Sequence, residues 1–109
     1  MRVELIFAED DPGYMAARQN LVEVLGEDAF ETPIQMIAVA SDADAELVGL
    51  RGSPTITMDG VDIHPESAIA GRGPRAYPDD EGAGTSPVPG KGLIRAAVER
   101  ARGWGHARR

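Results

Sequence analysis

Apolar and polar positions change their period several times along this chain. Residues 2–8, RVELIFA, alternate and then run apolar, the pattern of a strand buried in a sheet. Tyr14, Ala17, Leu21, Val24 and Leu25 then recur at helical spacing and predict an amphipathic helix. Asp11 suits the N-cap of that helix, Pro12 its first position and Gly26 its stop. Residues 32–40, TPIQMIAVA, predict a second strand. Ser41, with Asp44 three residues on, opens a short helix whose expected apolar face is Ala43, Leu47 and Leu50, ending by Gly49 or Gly52. Residues 55–58 and 61–63 alternate around Asp59-Gly60, a pair suited to the two-residue hairpin turn. Leu93, Ile94, Ala97, Val98 and Ala101 give a closing helix.

Between the hairpin and that helix, residues 65–90 show no period and are rich in Gly, Pro, Asp and Ser. So long an irregular stretch in a small domain is either functional or disordered. The predicted order is β-α-β-α-β-β-α in one α/β domain over residues 1–109. The first two strands, joined by a helix, should be parallel, and the last pair antiparallel. A four-stranded mixed sheet flanked by helices follows.

Charge and composition narrow the function. The chain of 109 residues carries a net charge of −7, unevenly spread. Residues 91–109 hold six basic groups against Glu99 alone, so the first ninety hold 5 basic and 17 acidic groups, a net of −12. An acidic body disfavours nucleic acid, which needs clustered Lys and Arg against phosphate. The basic end, including the tail 103–109, could pair with the acidic body within one molecule or across a homodimer. No apolar run approaches the roughly 20 residues of a membrane helix, so no membrane partner is expected. The start of the chain has no signal-peptide pattern, and a cytoplasmic protein is the default. The absence of cysteine excludes disulfides, thiolate metal sites and thiol catalysis. No Gly-rich phosphate loop, His-rich metal spacing or Ser-His-Asp arrangement is present, so neither cofactor nor metal is expected.

Five segments in order carry a resemblance: Asp11-Pro12-Gly13-Tyr14, Gly52-Ser53-Pro54-Thr55, Asp59-Gly60, Arg75-Ala76-Tyr77 and Ile94-Arg95-Ala96-Ala97. Together they resemble small bacterial proteins of the thioredoxin and glutaredoxin fold, over nearly the whole chain. The resemblance implies a cis peptide bond at Pro54. It also implies that Ser53 lies beside the start of the first helix, where relatives pair with an extended substrate segment. Asp11 stands where such proteins carry the nucleophilic cysteine, and Tyr14 where they carry the resolving one. Dithiol chemistry therefore does not carry over.

Asp11 is accounted for as a helix cap, and the same place could hold a ligand. Two functions stay open. In the first, a redox-inactive binding module holds a peptide segment or small molecule in the groove of Asp11, Tyr14, Ser53 and Pro54, with Arg75 and Tyr77 contributing from the long loop. In the second, the fold is reused for acid–base chemistry on a small substrate. Asp11, Tyr14 and His64 would then be catalytic, aided by Arg75 and Tyr77. A loop that folds over the Asp11–Pro54 edge makes a lidded pocket; a disordered one makes none. Trp104 is expected to anchor the last helix, and His106 lies in the tail.

Overall fold

The computed structural model describes residues 1–27, 32–82 and 84–102. The expectations for Trp104, His106 and the tail 103–109 fall outside them.

Strand β1 (Val3–Ala8) lies at the centre of a four-stranded mixed sheet. It pairs in parallel with β2 (Ile34–Val39) and antiparallel with β4 (Thr55–Met58), which turns back into β5 (Val61–Asp62), giving the order β2-β1-β4-β5. The β4–β5 turn is the Asp59-Gly60 pair, both residues at positive φ (54° and 82°), which is what a type I′ hairpin requires.

Alternation along β1 sends its side chains to two faces. Val3, Leu5 and Phe7 pack with Ile56 and Met58 under α1 (Tyr14–Leu25) and α3 (Lys91–Ala101), which bury Ala17, Leu21, Val24, Ile94, Ala97 and Val98. Ile6 points to the opposite face and meets Val39, Ala45 and Leu50 beneath α2 (Asp42–Val48). The layers are thus two helices, the sheet, then one short helix. Lys91 and Arg95 of α3 reach Glu23 and Glu27, each at 2.6 Å, so part of the basic end pairs with the acidic body inside one molecule. No helix among the described residues is long and apolar enough to cross a membrane.

Three expectations need correction. The N-cap of α1 is Gly13 rather than Asp11, and the helix begins at Tyr14. The Asp11 carboxylate accepts from the Gly13 N–H two residues on (2.7 Å), which closes a turn ahead of the helix and keeps Pro12 outside it. Ser41 does cap α2, accepting from the Asp44 N–H at 3.1 Å, but the apolar face differs. Seven residues turn only Ala45 into the core, whereas Ala43 is exposed and Leu47 is 83% exposed. Leu50 is buried from beyond the helix, after Gly49 reverses the chain at φ 82°.

The third correction concerns residues 65–90. Three short strands of the stretch are paired. Residues 51–53 form β3 (Arg51–Ser53), which pairs in parallel with β6 (Gly71–Pro74). Strand β7 (Tyr77–Pro78) makes a small hairpin with β8 (Thr85–Ser86). Asp80 then caps α3, accepting from the Gly92 and Leu93 N–H groups at 3.0 and 3.3 Å. Elements of two to four residues are too short to display a period, which is why the sequence pattern missed them.

Candidate functional site

Strands β1 and β2 run in parallel, and the helices that follow them lie on opposite faces of the sheet. The crevice beyond their carboxyl ends is therefore a topological switch point, where open α/β sheets place ligands. The acidic turn of residues 9–13 leaves β1 there, and Ser41-Asp42 leaves β2.

Asp11 is half-buried and both its carboxylate oxygens are engaged. Oδ1 takes the Gly13 N–H, while Oδ2 accepts from the Ser53 hydroxyl at 2.5 Å. The Ser53 Oγ in turn accepts from the Ala8 N–H at 2.9 Å. This chain of bonds ties the turn to the segment before Pro54, whose peptide bond with Ser53 is cis. Both oxygens thus serve the chain's own donors, and Asp11 acts here as a hydrogen-bond acceptor that holds the turn. Replacing Asp11 with alanine leaves the Ser53 hydroxyl and the Gly13 amide without that acceptor. The expected loss is about 1–2 kcal/mol of stability in urea unfolding, and an unchanged midpoint would refute this structural role.

Tyr14 stacks flat on Phe7, with ring centroids 4.3 Å apart and planes within 5°. It is half-buried, and its hydroxyl makes no hydrogen bond among the described residues.

The remaining candidates lie inward. The segment 71–77 folds over the Asp11–Pro54 edge, but it fills that edge instead of lidding a void. Its close approach depends on Gly52, at φ 89°, where an added Cβ would stand 2.7 Å from Ile69 and 3.1 Å from Arg75. The Arg75 N–H donates to the Ser53 carbonyl at 3.1 Å, and the Tyr77 hydroxyl donates to the Pro54 carbonyl. Both carbonyls beside the cis bond are thus satisfied from within, and Ser53, Pro54, Arg75 and Tyr77 are all buried.

Arg75, read from sequence as an anion contact, has its guanidinium fully engaged. It holds Asp62 through two bonds of 2.8 Å and also donates to Thr55, Ser67 and the His64 carbonyl. Its guanidinium also lies 4.7 Å from the centre of the Tyr77 ring. Burial pushes the Tyr77 hydroxyl well above its ordinary ionisation range, and the nearby Arg75 cation only partly offsets this.

His64 stands near this cluster, with its ring 6.4 Å from that of Tyr77. Its Nε2 lies 3.8 Å from the exposed Glu66, and its buried Nδ1 has no partner among the described residues. No contact joins it to Asp11, so an Asp11–His64 acid–base pair is not assembled. Asp11 and Ser53 come together, Tyr14 packs on Phe7, and Tyr77 sits against Pro54, while the side chain of Arg75 groups with Asp62 and the His64 carbonyl.

Sequence reasoning passed over Arg72. From β6 it bridges the switch-point crevice, donating Nη2 to Asp10 (3.0 Å), Nε to the Val39 carbonyl (3.3 Å) and its backbone N–H to Asp42 (3.3 Å). The alternation of Gly71-Arg72-Gly73 could have flagged an arginine held by bare backbone. Beside it, between α2 and residues 68–73, opens a cleft of about 690 Å3 with Ala45, Leu50 and Ile69 among its apolar walls and Glu46 and Arg51 among its charged ones. A second cleft of about 420 Å3, bounded by Glu4, Thr57 and Asp62, shares Gly49, Arg51 and Ala68 with the first. Comparison with family models, curated proteins and solved structures finds no match.

Proposed function

We propose that this chain is a redox-inactive binding protein of thioredoxin-like fold, whose ligand sits beside residues 71–74 rather than against Pro54. The thioredoxin-like assignment draws support from the strand order β2-β1-β4-β5, from helices split two and one across the sheet, and from the cis bond placed against the turn before α1. The single observation that carries the binding function is the internal occupation of the Ser53 and Pro54 carbonyls by Arg75 and Tyr77. In a thioredoxin-type groove an extended segment would lie at that edge; here the chain supplies its own. The open space is then the cleft between α2 and residues 68–73, whose volume falls in the range of small-molecule sites. Its ligand is a small molecule or a short peptide segment.

The test is a thermal-shift screen of metabolite and short-peptide libraries on three proteins: the wild type, Ile69→Trp and the double variant Asp11→Asn/Tyr14→Ala. Ile69 is 43% exposed in the cleft wall, so a tryptophan there obstructs the space without entering the core. Hits abolished by Ile69→Trp and retained by the double variant support the cleft. Hits lost only in the double variant place the ligand at the Asp11–Tyr14 edge, and a wild type that takes nothing refutes binding altogether.

A further inference from the structure

Most charged side chains near the sheet have partners. Asp62 is held by Arg75, Glu4 by Thr57, and Asp10 by Arg72. Glu46 and Arg51 differ. Both are exposed and line the larger cleft, yet neither side chain makes a hydrogen bond or ion pair among the described residues. Nor does an ion pair join them to each other. The same cleft is also lined by the apolar Leu50 and Ala45, at 3% and 0% exposure, and by the partly exposed Ile69.

On the premise of the binding function above, we propose that the cleft takes a small zwitterion with an apolar middle, the chemistry of a short peptide with free termini. Its carboxylate pairs with the Arg51 guanidinium and its ammonium with the Glu46 carboxylate, two charges that have no partner of their own among the described residues. Charge argues for both ends being needed. A plain anion would meet Glu46 and Asp42 on the same wall, and a plain cation would meet Arg51. Arginine suits the carboxylate end because its planar fork donates two parallel bonds. Gly73, also in the lining, carries no side chain and leaves its backbone open to a close approach, whereas the Asp42 carboxylate stands against Gly71.

The experiment uses three tripeptides: Ala-Leu-Ala with free termini, its N-acetyl form and its C-terminal amide. Each is titrated into the 15N-labelled full chain, with the amides of Gly49, Gly71 and Gly73 as reporters of the cleft. The free peptide is expected to shift those amides. Capping either end should weaken binding about fivefold, the scale of one partly exposed ion pair. Glu46→Gln should weaken the free peptide by the same factor and leave the acetylated one unchanged; Arg51→Gln should do so for the amide. Both residues are exposed, so both variants should melt with the wild type. Equal binding of all three peptides, or a Glu46→Gln penalty that persists on the acetylated one, overturns the zwitterion. A free peptide that leaves the cleft amides unmoved also overturns it, whereas failure of the binding function itself would show as no hit from either library.

Discussion

Replacing Arg75 with methionine is expected to remove about 3–5 kcal/mol of folding stability, read as a large drop in the urea midpoint. The size follows from what the guanidinium leaves behind. Its side chain is 0% exposed and Asp62 only 14%, so the variant strands a carboxylate in a poorly hydrated site. The Thr55 and Ser67 hydroxyls and the His64 carbonyl lose a donor in the same step. A domain with a typical 5–15 kcal/mol in hand would be weakened severely. The pair itself is not the source of the effect, because two buried charges gain little over a well-packed apolar pair. The double variant Arg75→Met/Asp62→Leu should therefore recover at least 1 kcal/mol against the sum of the single changes. A single-variant loss under about 1 kcal/mol would show that Asp62 is well solvated and would sink this account.

That buried arginine also marks where the sequence stopped being legible. Strands β1 and β2 and the two long helices could be read because each runs long enough for its period to register. Val3, Leu5 and Phe7 alternate with Glu4 and Ile6, and Ala17, Leu21 and Val24 keep to one helical stripe. Asp59-Gly60 was legible for a different reason, since few residue pairs accept two positive φ values in succession. Failure came where tertiary pairing overrides local pattern. Leu47 had the spacing of a core residue, but a helix of seven residues presents only one narrow stripe, and Ala45 occupies it.

The candidate site was half legible on the same grounds. Asp11, Tyr14, Ser53 and Pro54 lie in two short local motifs, and the structure brings those motifs into contact through the Asp11–Ser53 bond. Arg75 and Tyr77 could be placed in the right segment but not with the right orientation. Arginine and tyrosine are normally wet at one end, so nothing in composition signals that both are buried. Their burial depends on Asp62, thirteen residues before Arg75, and on the Pro54 carbonyl, which no local rule connects to either. The functional consequence is large. Two side chains expected from the sequence to contact a ligand hold the fold together instead.

Tyr77→Phe is the second change with a large expected effect, and its signature is a dependence on pH. At neutral pH the variant loses the bond from the Tyr77 hydroxyl to the buried Pro54 carbonyl, at an expected cost of about 1–3 kcal/mol. The same hydroxyl has its ionisation pushed up by burial from an ordinary value of 10.0. A group that holds its proton more tightly when folded contributes stability that is fully present below the unfolded value. That contribution is lost as pH rises from there toward the folded value. The wild type should thus weaken by about 1.4 kcal/mol per pH unit above pH 10 through this residue, a slope that Tyr77→Phe lacks. Unfolding in urea at pH 7, 9, 10.5 and 11.5 reads the difference directly. The gap between the two proteins should hold constant to about pH 10 and then narrow, because only in the wild type does unfolding release a phenol that ionises in water. Parallel curves to pH 11.5 would mean that the hydroxyl ionises without unfolding, and that the Pro54 carbonyl lies open to water.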